Sequence, residues 1–124
     1  MTPARISIVP SALDPTTTDS TLADILSGIG NGRWQSQVTA VRDAYAKGGK
    51  PAADGPKRLL PGALFSGTFS RRASDALQEH SGLICVDLDH LGPQLEGIRD
   101  LVASDEHTLA AFISPTGTGL KVLF

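Results

Sequence analysis

Asp87 and Asp89, in the stretch "LICVDLDHLG" at 83–92, are two carboxylates spaced two apart at the end of a largely apolar run. In an extended strand, residues i and i+2 point to one face, so the pair emerges together with Cα atoms roughly 6.5 to 7 Å apart. Two carboxylates that close repel. A divalent cation reverses that balance, because Mg²⁺ or Mn²⁺ prefers oxygen ligands, takes one or two protein carboxylates and leaves positions for water and phosphate oxygens. Strand ends also suit chemistry, since ligands of open α/β sheets tend to bind beyond the carboxyl ends of the strands. The alternative is structural: acidic residues commonly begin loops, and Asp89 would help cap the helix that follows.

A second set lies at 114–121, "SPTGTGLK". Gly117 and Gly119 allow a tight turn and a close approach of ligand to backbone, Ser114, Thr116 and Thr118 offer hydroxyls, and Lys121 brings a positive charge. Such a turn suits a triphosphate. It lacks the Walker spacing, and a strand rather than a helix follows, so by itself it also reads as an ordinary glycine-containing hairpin turn. Combined with the aspartate pair, it makes the set that metal-assisted chemistry on a nucleotide uses.

Other side chains carry less. Arg71 and Arg72 are candidates for bidentate contact with phosphate or a template strand, or form a solvated pair. His90 is a candidate further ligand, whereas His80 and His107 show no metal-ligand spacing to each other. Trp34 and Tyr45 have faces on which bases stack, yet their helical spacing with Val38 and Val41 favours core packing. Cys85, inside an apolar strand, reads as a small core residue.

The elements that must position these residues follow from periodicity. "RISIV" alternates and reads as a strand ended by Pro10. After a Thr/Asp/Ser cluster suited to capping, Leu22, Ile25, Leu26 and Ile29 share one helical face, and "GIGNG" stops it. Trp34, Val38, Val41 and Tyr45 form a second helix closed by "KGGK", which with the first makes a hairpin. "GGKPAADGP" has the composition of an exposed loop. "ALFSGTF" reads as a strand interrupted by Gly67, followed by a polar connection, and "GLICVDL" is the clearest strand. Pro93 suits the first turn of a helix with Leu95, Ile98, Leu101 and Val102 inward. "LAAFIS" and "GLKVLF", joined by "PTGT", suggest a hairpin. The expected order is β-α-α-β-β-α-β-β, an α/β (α+β) fold with a mixed sheet and packed helices.

Composition sets the frame. The 124 residues suffice for one domain with a modest core, and neither a repeat nor a charge block divides them. With 11 basic and 13 acidic residues the formal net charge is -2, so no whole-surface field draws the chain to nucleic acid or anionic lipid. A phosphate site must be local. One cysteine excludes an intramolecular disulfide framework, and neither a membrane-spanning apolar run nor the apolar region of a signal peptide is visible, so a cytoplasmic location is expected.

Three segments in order, "LPGALFSGTFSRR", "HSGLICVDLDHL" and "AAFISPTGTGLKVLF", carry a family resemblance. The chain resembles the N-terminal domain called VirE-N or BT-type in primase-like proteins of bacterial mobile elements and phages, closely over 57–124 and loosely from residue 5. That domain is similar in turn to the catalytic core of the archaeo-eukaryotic primase (primase-polymerase) superfamily. The resemblance implies that Asp87 and Asp89 match a first motif that binds divalent metal, and that 114–121 matches a second that contacts the incoming nucleotide. Two departures stand out. The active superfamily places a histidine where this chain has Lys121, which still pairs with phosphate as a point charge but lacks an imidazole's titration near neutral pH. A third acidic motif on a later strand has no counterpart before Phe124; Asp100, Asp105 and Glu106 read as solvated charges.

The 124 residues are therefore expected to be the front of a longer protein or a truncated frame, without a complete two-metal site. The leading expectation is a nucleotide- and metal-binding domain of a replication protein, with Asp87 and Asp89 as metal-holding catalytic carboxylates. Ser114, Gly117, Thr118, Gly119, Lys121 and Arg71 are then the nucleotide contacts. Its partners would be a nucleoside triphosphate, single-stranded DNA and a helicase domain. A second expectation is a non-catalytic module of the same fold that binds nucleic acid or a partner. A third, a phosphotransferase of the haloacid dehalogenase type, would place its Asp-x-Asp near the start of the domain, whereas some 80 residues precede it here.

Overall fold

A computed structural model describes residues 4–124. The chain divides into two compact units, residues 1–83 and 84–124. The α+β class expected from periodicity holds, with antiparallel strands and three α-helices among the described residues.

In the first unit, strand β1 (Arg5–Val9) is the middle of a three-stranded sheet, flanked by β2 (Thr18–Thr21) and β3 (Gly62–Leu64). The Thr/Asp/Ser cluster does two jobs. Its residues form edge strand β2, and its last member, Thr21, caps helix α1 (Leu22–Gly30) by accepting from the Asp24 N–H. Such a cap contributes about 1 kcal/mol. Ile25 of α1, Val41, Ile6 and Val9 are buried, while Ile29 at the end of the expected apolar stripe is exposed.

Helix α2 (Gln35–Arg58) departs from expectation. Its first part stops at Gly49, whose φ of 68° breaks the helical run where "KGGK" predicts an end. The helix then resumes through the stretch read as a loop. Pro51 presets the φ of a first helical turn, Ala52 and Ala53 favour continuation, and Lys57 and Arg58 sit in the last turn, where cations suit the helix dipole. Ala53 is buried, which a solvated loop would not allow.

Strand β4 (Gly67–Phe69) pairs with β5 (Leu77–His80), and the register shifts between Thr68 and Phe69. The polar composition of "LQEH" hid β5 in the sequence. Beta4 is tied to β1 through Ser7, which is fully buried: its hydroxyl accepts from the Phe69 N–H at 2.9 Å and donates to Asp19 at 3.1 Å.

The second unit is a three-stranded antiparallel sheet in the order β6 (Cys85–Leu88), β8 (Leu120–Leu123), β7 (Ala110–Ile113). Helix α3 (Leu95–Ala103) packs on one face. Leu95, Leu120 and Val122 form its core, with Leu88, Leu91, Ile98, Val102, Ala111 and Ile113 packed around them. Leu101 is exposed, because at 3.6 residues per turn it falls outside the arc shared by Leu95, Ile98 and Val102. Pro93 lies in a single 3-10 turn, Gly92–Gln94, that leads into α3. In place of one mixed sheet the strands form three small antiparallel ones. Among the described residues, no helix is long and apolar enough to cross a membrane.

Candidate functional site

The sheet of the second unit packs one face on α3, and its other face is mixed, carrying Asp87 and Lys121 beside Phe112 and the fully buried Leu123. Leu88, Leu120 and Val122 turn toward α3. By the two-residue period of a strand, Cys85, Asp87 and Lys121 turn the other way. Asp87 of β6 stands directly opposite Lys121 of the central strand, and Phe112 of β7 stands opposite Lys121 on its other side. The Lys121 Nζ donates to the Asp87 Oδ1 at 2.9 Å, an ion pair with side chains 32% and 52% exposed.

Asp89 lies just past the end of β6, where the 89–92 loop meets the turn between β7 and β8. Two contacts bring them together. The Leu91 N–H donates to the Thr118 carbonyl at 3.0 Å, and Gly119 is buried against the backbone of Leu88 and Asp89. The loop reaches the turn by left-handed backbone at His90 (φ 55°) and Gly92 (φ 54°). His90 is exposed, and among the described residues no group of three His, Cys, Asp or Glu side chains could hold a metal ion.

The turn is held by its own first residue. The Ser114 N–H donates to the Gly119 carbonyl at 2.9 Å, the Gly117 N–H to the Ser114 carbonyl at 2.9 Å, and the Gly119 N–H to the Ser114 hydroxyl at 3.1 Å. The N–H groups of both glycines, expected to be open to a ligand, are thus engaged within the turn. It also carries a chain of three hydroxyls: Thr116 Oγ1 lies 3.3 Å from Ser114 Oγ and 2.8 Å from Thr118 Oγ1. Gly117 (φ 81°) is exposed at the tip.

Within one small sheet, the structure therefore joins Asp87, Asp89, Ser114, Gly117, Thr118, Gly119 and Lys121. Arg71 belongs to the first unit, where its guanidinium pairs at 2.9 Å with Asp75, four residues on, both exposed. Arg72 donates to the Ala12 carbonyl at 3.3 Å. His80 lies in β5 opposite Gly67, and His107 is exposed beside Glu106. Trp34 and Tyr45 are half-buried on the helical face with buried Val41, as their spacing predicted, and the Arg33 guanidinium lies 5.0 Å from the Trp34 ring centroid.

Cys85 corrects the sequence reading: it is exposed, on the edge strand and on the face away from α3. Partial burial pushes its thiol pKa up, the Asp87 carboxylate adds to the rise, and the Lys121 ammonium opposes it. Its alternation with Asp87 was the signal that could have placed it on the same face as that carboxylate.

The donor set has a clear chemical preference. Two carboxylates, hydroxyls and a lysine are hard, charged or hydrogen-bonding groups, suited to Mg²⁺ or Mn²⁺ that keeps much of its water and shares phosphate oxygens. Two protein carboxylates fit that role, and they leave the rest of an octahedral shell to water and phosphate.

A family model described as BT4734-like, N-terminal domain, matches residues 56–124. Neither a curated protein nor a solved structure matches the chain.

Proposed function

From the premise that this chain belongs to the BT4734-like N-terminal domain family, matched over more than half its length, we propose that it binds a nucleoside triphosphate together with a divalent metal, as a primase-like domain. The reading includes the VirE-N and primase-polymerase resemblance carried by the Asp-x-Asp and Gly-Thr-Gly-x-Lys segments. The observation that supports it best is the junction of those segments: Asp89 touches Gly119, and Asp87 touches Lys121.

Asp87 and Asp89 would hold Mg²⁺ or Mn²⁺, which neutralises phosphate charge and, in a complete nucleotidyltransferase, activates a primer 3′-hydroxyl. The chain's own residues orient the nucleotide. Lys121 supplies a point charge for phosphate, and Ser114, Thr116 and Thr118 offer hydroxyl donors along the turn. Two carboxylates are too few for a two-metal centre, and among the described residues no third joins them, so nucleotidyl transfer would need a further acidic ligand. In that setting the partners are single-stranded DNA and a helicase domain, and the location is cytoplasmic.

The test is calorimetric titration of the purified chain with Mn²⁺ and a nucleoside triphosphate. Saturable binding that needs both, and that is lost in the double variant Asp87→Asn with Asp89→Asn, is expected. Equal binding by wild type and variant would refute the reading.

The Lys121–Asp87 ion pair supports a second reading, in which the site is already neutralised and the fold serves as a non-catalytic nucleic-acid or partner module. Single-stranded DNA association would then survive both aspartate substitutions and weaken with salt.

A further inference from the structure

We infer that Lys121 is an internal counter-cation seated on Asp87 that opposes divalent-cation binding at that carboxylate until an incoming triphosphate draws it away. This inference rests on the nucleotide-and-metal reading above. It adds an order of events: nucleotide opens the metal position.

The geometry carries the argument. Asp87 and Lys121 are directly opposed on paired antiparallel strands, where side chains of the same face meet. The ammonium lies at hydrogen-bond distance, 2.9 Å, from Asp87 Oδ1. Mg²⁺ approaches a carboxylate oxygen to about 2.0–2.1 Å, so a metal on Oδ1 and an ammonium on the same oxygen would be neighbouring cations that repel. The two cations therefore compete for Asp87, and an anion that draws the ammonium away frees the carboxylate.

Lys121 carries its charge on a flexible four-carbon stem. Gly119, the end of the hydroxyl-bearing turn, is two residues before Lys121 in the chain and abuts Asp89, so phosphate bound at that turn is the anion placed to draw the ammonium. The pair is half-exposed, and exposed pairs of this kind are weak, so exchange is reversible. Linkage makes the effect mutual: a nucleotide that removes Lys121 tightens metal binding, and metal tightens nucleotide binding by the same factor.

The test titrates Mn²⁺ into the purified chain and follows free Mn²⁺ by electron paramagnetic resonance, with and without an imido-bridged ATP analogue, protein-bound Mn²⁺ being taken as the excess over a protein-free titration of the same analogue. Lys121→Gln, Lys121→Arg and the first-unit charge control Lys57→Gln are compared with wild type, each checked for folding by circular dichroism. Without nucleotide, Lys121→Gln is expected to bind Mn²⁺ up to about fivefold tighter than wild type, with Lys121→Arg and Lys57→Gln unchanged. The analogue should then raise Mn²⁺ affinity in wild type more than in Lys121→Gln. If Lys121→Gln binds Mn²⁺ no tighter than wild type without nucleotide while both bind it with the analogue, the exchange is overturned and the nucleotide-and-metal reading stands. If no variant binds Mn²⁺ even with the analogue, the reading itself fails, and the exchange with it.

Discussion

Gly119 lies against the carbonyl oxygen of Leu88 so closely that a β-carbon on it would stand 2.5 Å from that oxygen and 3.3 Å from the Cα of Asp89. This contact, more than any side-chain bond, presses the hydroxyl-bearing turn onto the end of the aspartate strand. A backbone oxygen cannot rotate away, so an added methyl must separate the two segments.

Gly119→Ala is therefore expected to destabilise the chain by about 1–3 kcal/mol, the range for overpacking a closed site. Chemical denaturation reads the loss as a lower midpoint. The amide resonances of Asp89 and His90 should shift with it. An unchanged midpoint with unchanged resonances would show that the turn does not depend on this contact.

Cys85 reports on the face of the same sheet that carries Asp87 and Lys121. The chain has one cysteine, so a thiol reagent labels a single site. The thiolate is the reactive form, and Asp87 disfavours it while Lys121 favours it. Asp87→Asn should speed labelling at mildly alkaline pH, and Lys121→Gln should slow it. Identical rates in all three proteins would place the thiol beyond the reach of both charges.

In the first unit, Arg33 holds Asp24 by two hydrogen bonds, at 3.1 and 3.2 Å, and pulls its carboxyl below the usual range, first by hydrogen bonding and then by charge. A carboxylate with a depressed folded-state pKa contributes stability that is present above its unfolded value, about 3.9, and is lost as pH falls through the folded value. Asp24→Asn should thus be less stable than wild type at pH 7, and the gap should close below about pH 4. Salt should narrow the gap at neutral pH, since the pair is exposed. A gap that persisted unchanged into acid would mean that the carboxylate's charge plays no part.

Some of this was legible in the chain because local patterns act alone. Alternation exposed β1, apolar runs on either side of a turn exposed β7 and β8, capping chemistry exposed the start of α1 at Thr21, and the helical spacing of Leu95, Ile98 and Val102 exposed α3. The "PTGT" turn joined β7 to β8 as its glycines predicted. Where composition misled, a neighbour had decided. "LQEH" becomes β5 only because β4 supplies the ladder, and "PAAD" becomes helical because Ala53 finds a buried place. Ser7, a polar position in an alternating strand, is fully buried because Phe69 and Asp19 satisfy its hydroxyl.

By itself, the sequence determined which residue types occur at the site and that Asp87 and Asp89 stand beside a strand end, since side-chain period and turn chemistry are properties of short segments. Only the tertiary structure decided who meets whom. Whether Lys121 faces phosphate or a carboxylate and whether Cys85 is covered depend on strand register and on which strand lies at the edge. Those choices are made by contacts between residues far apart in the chain, and no local pattern encodes them.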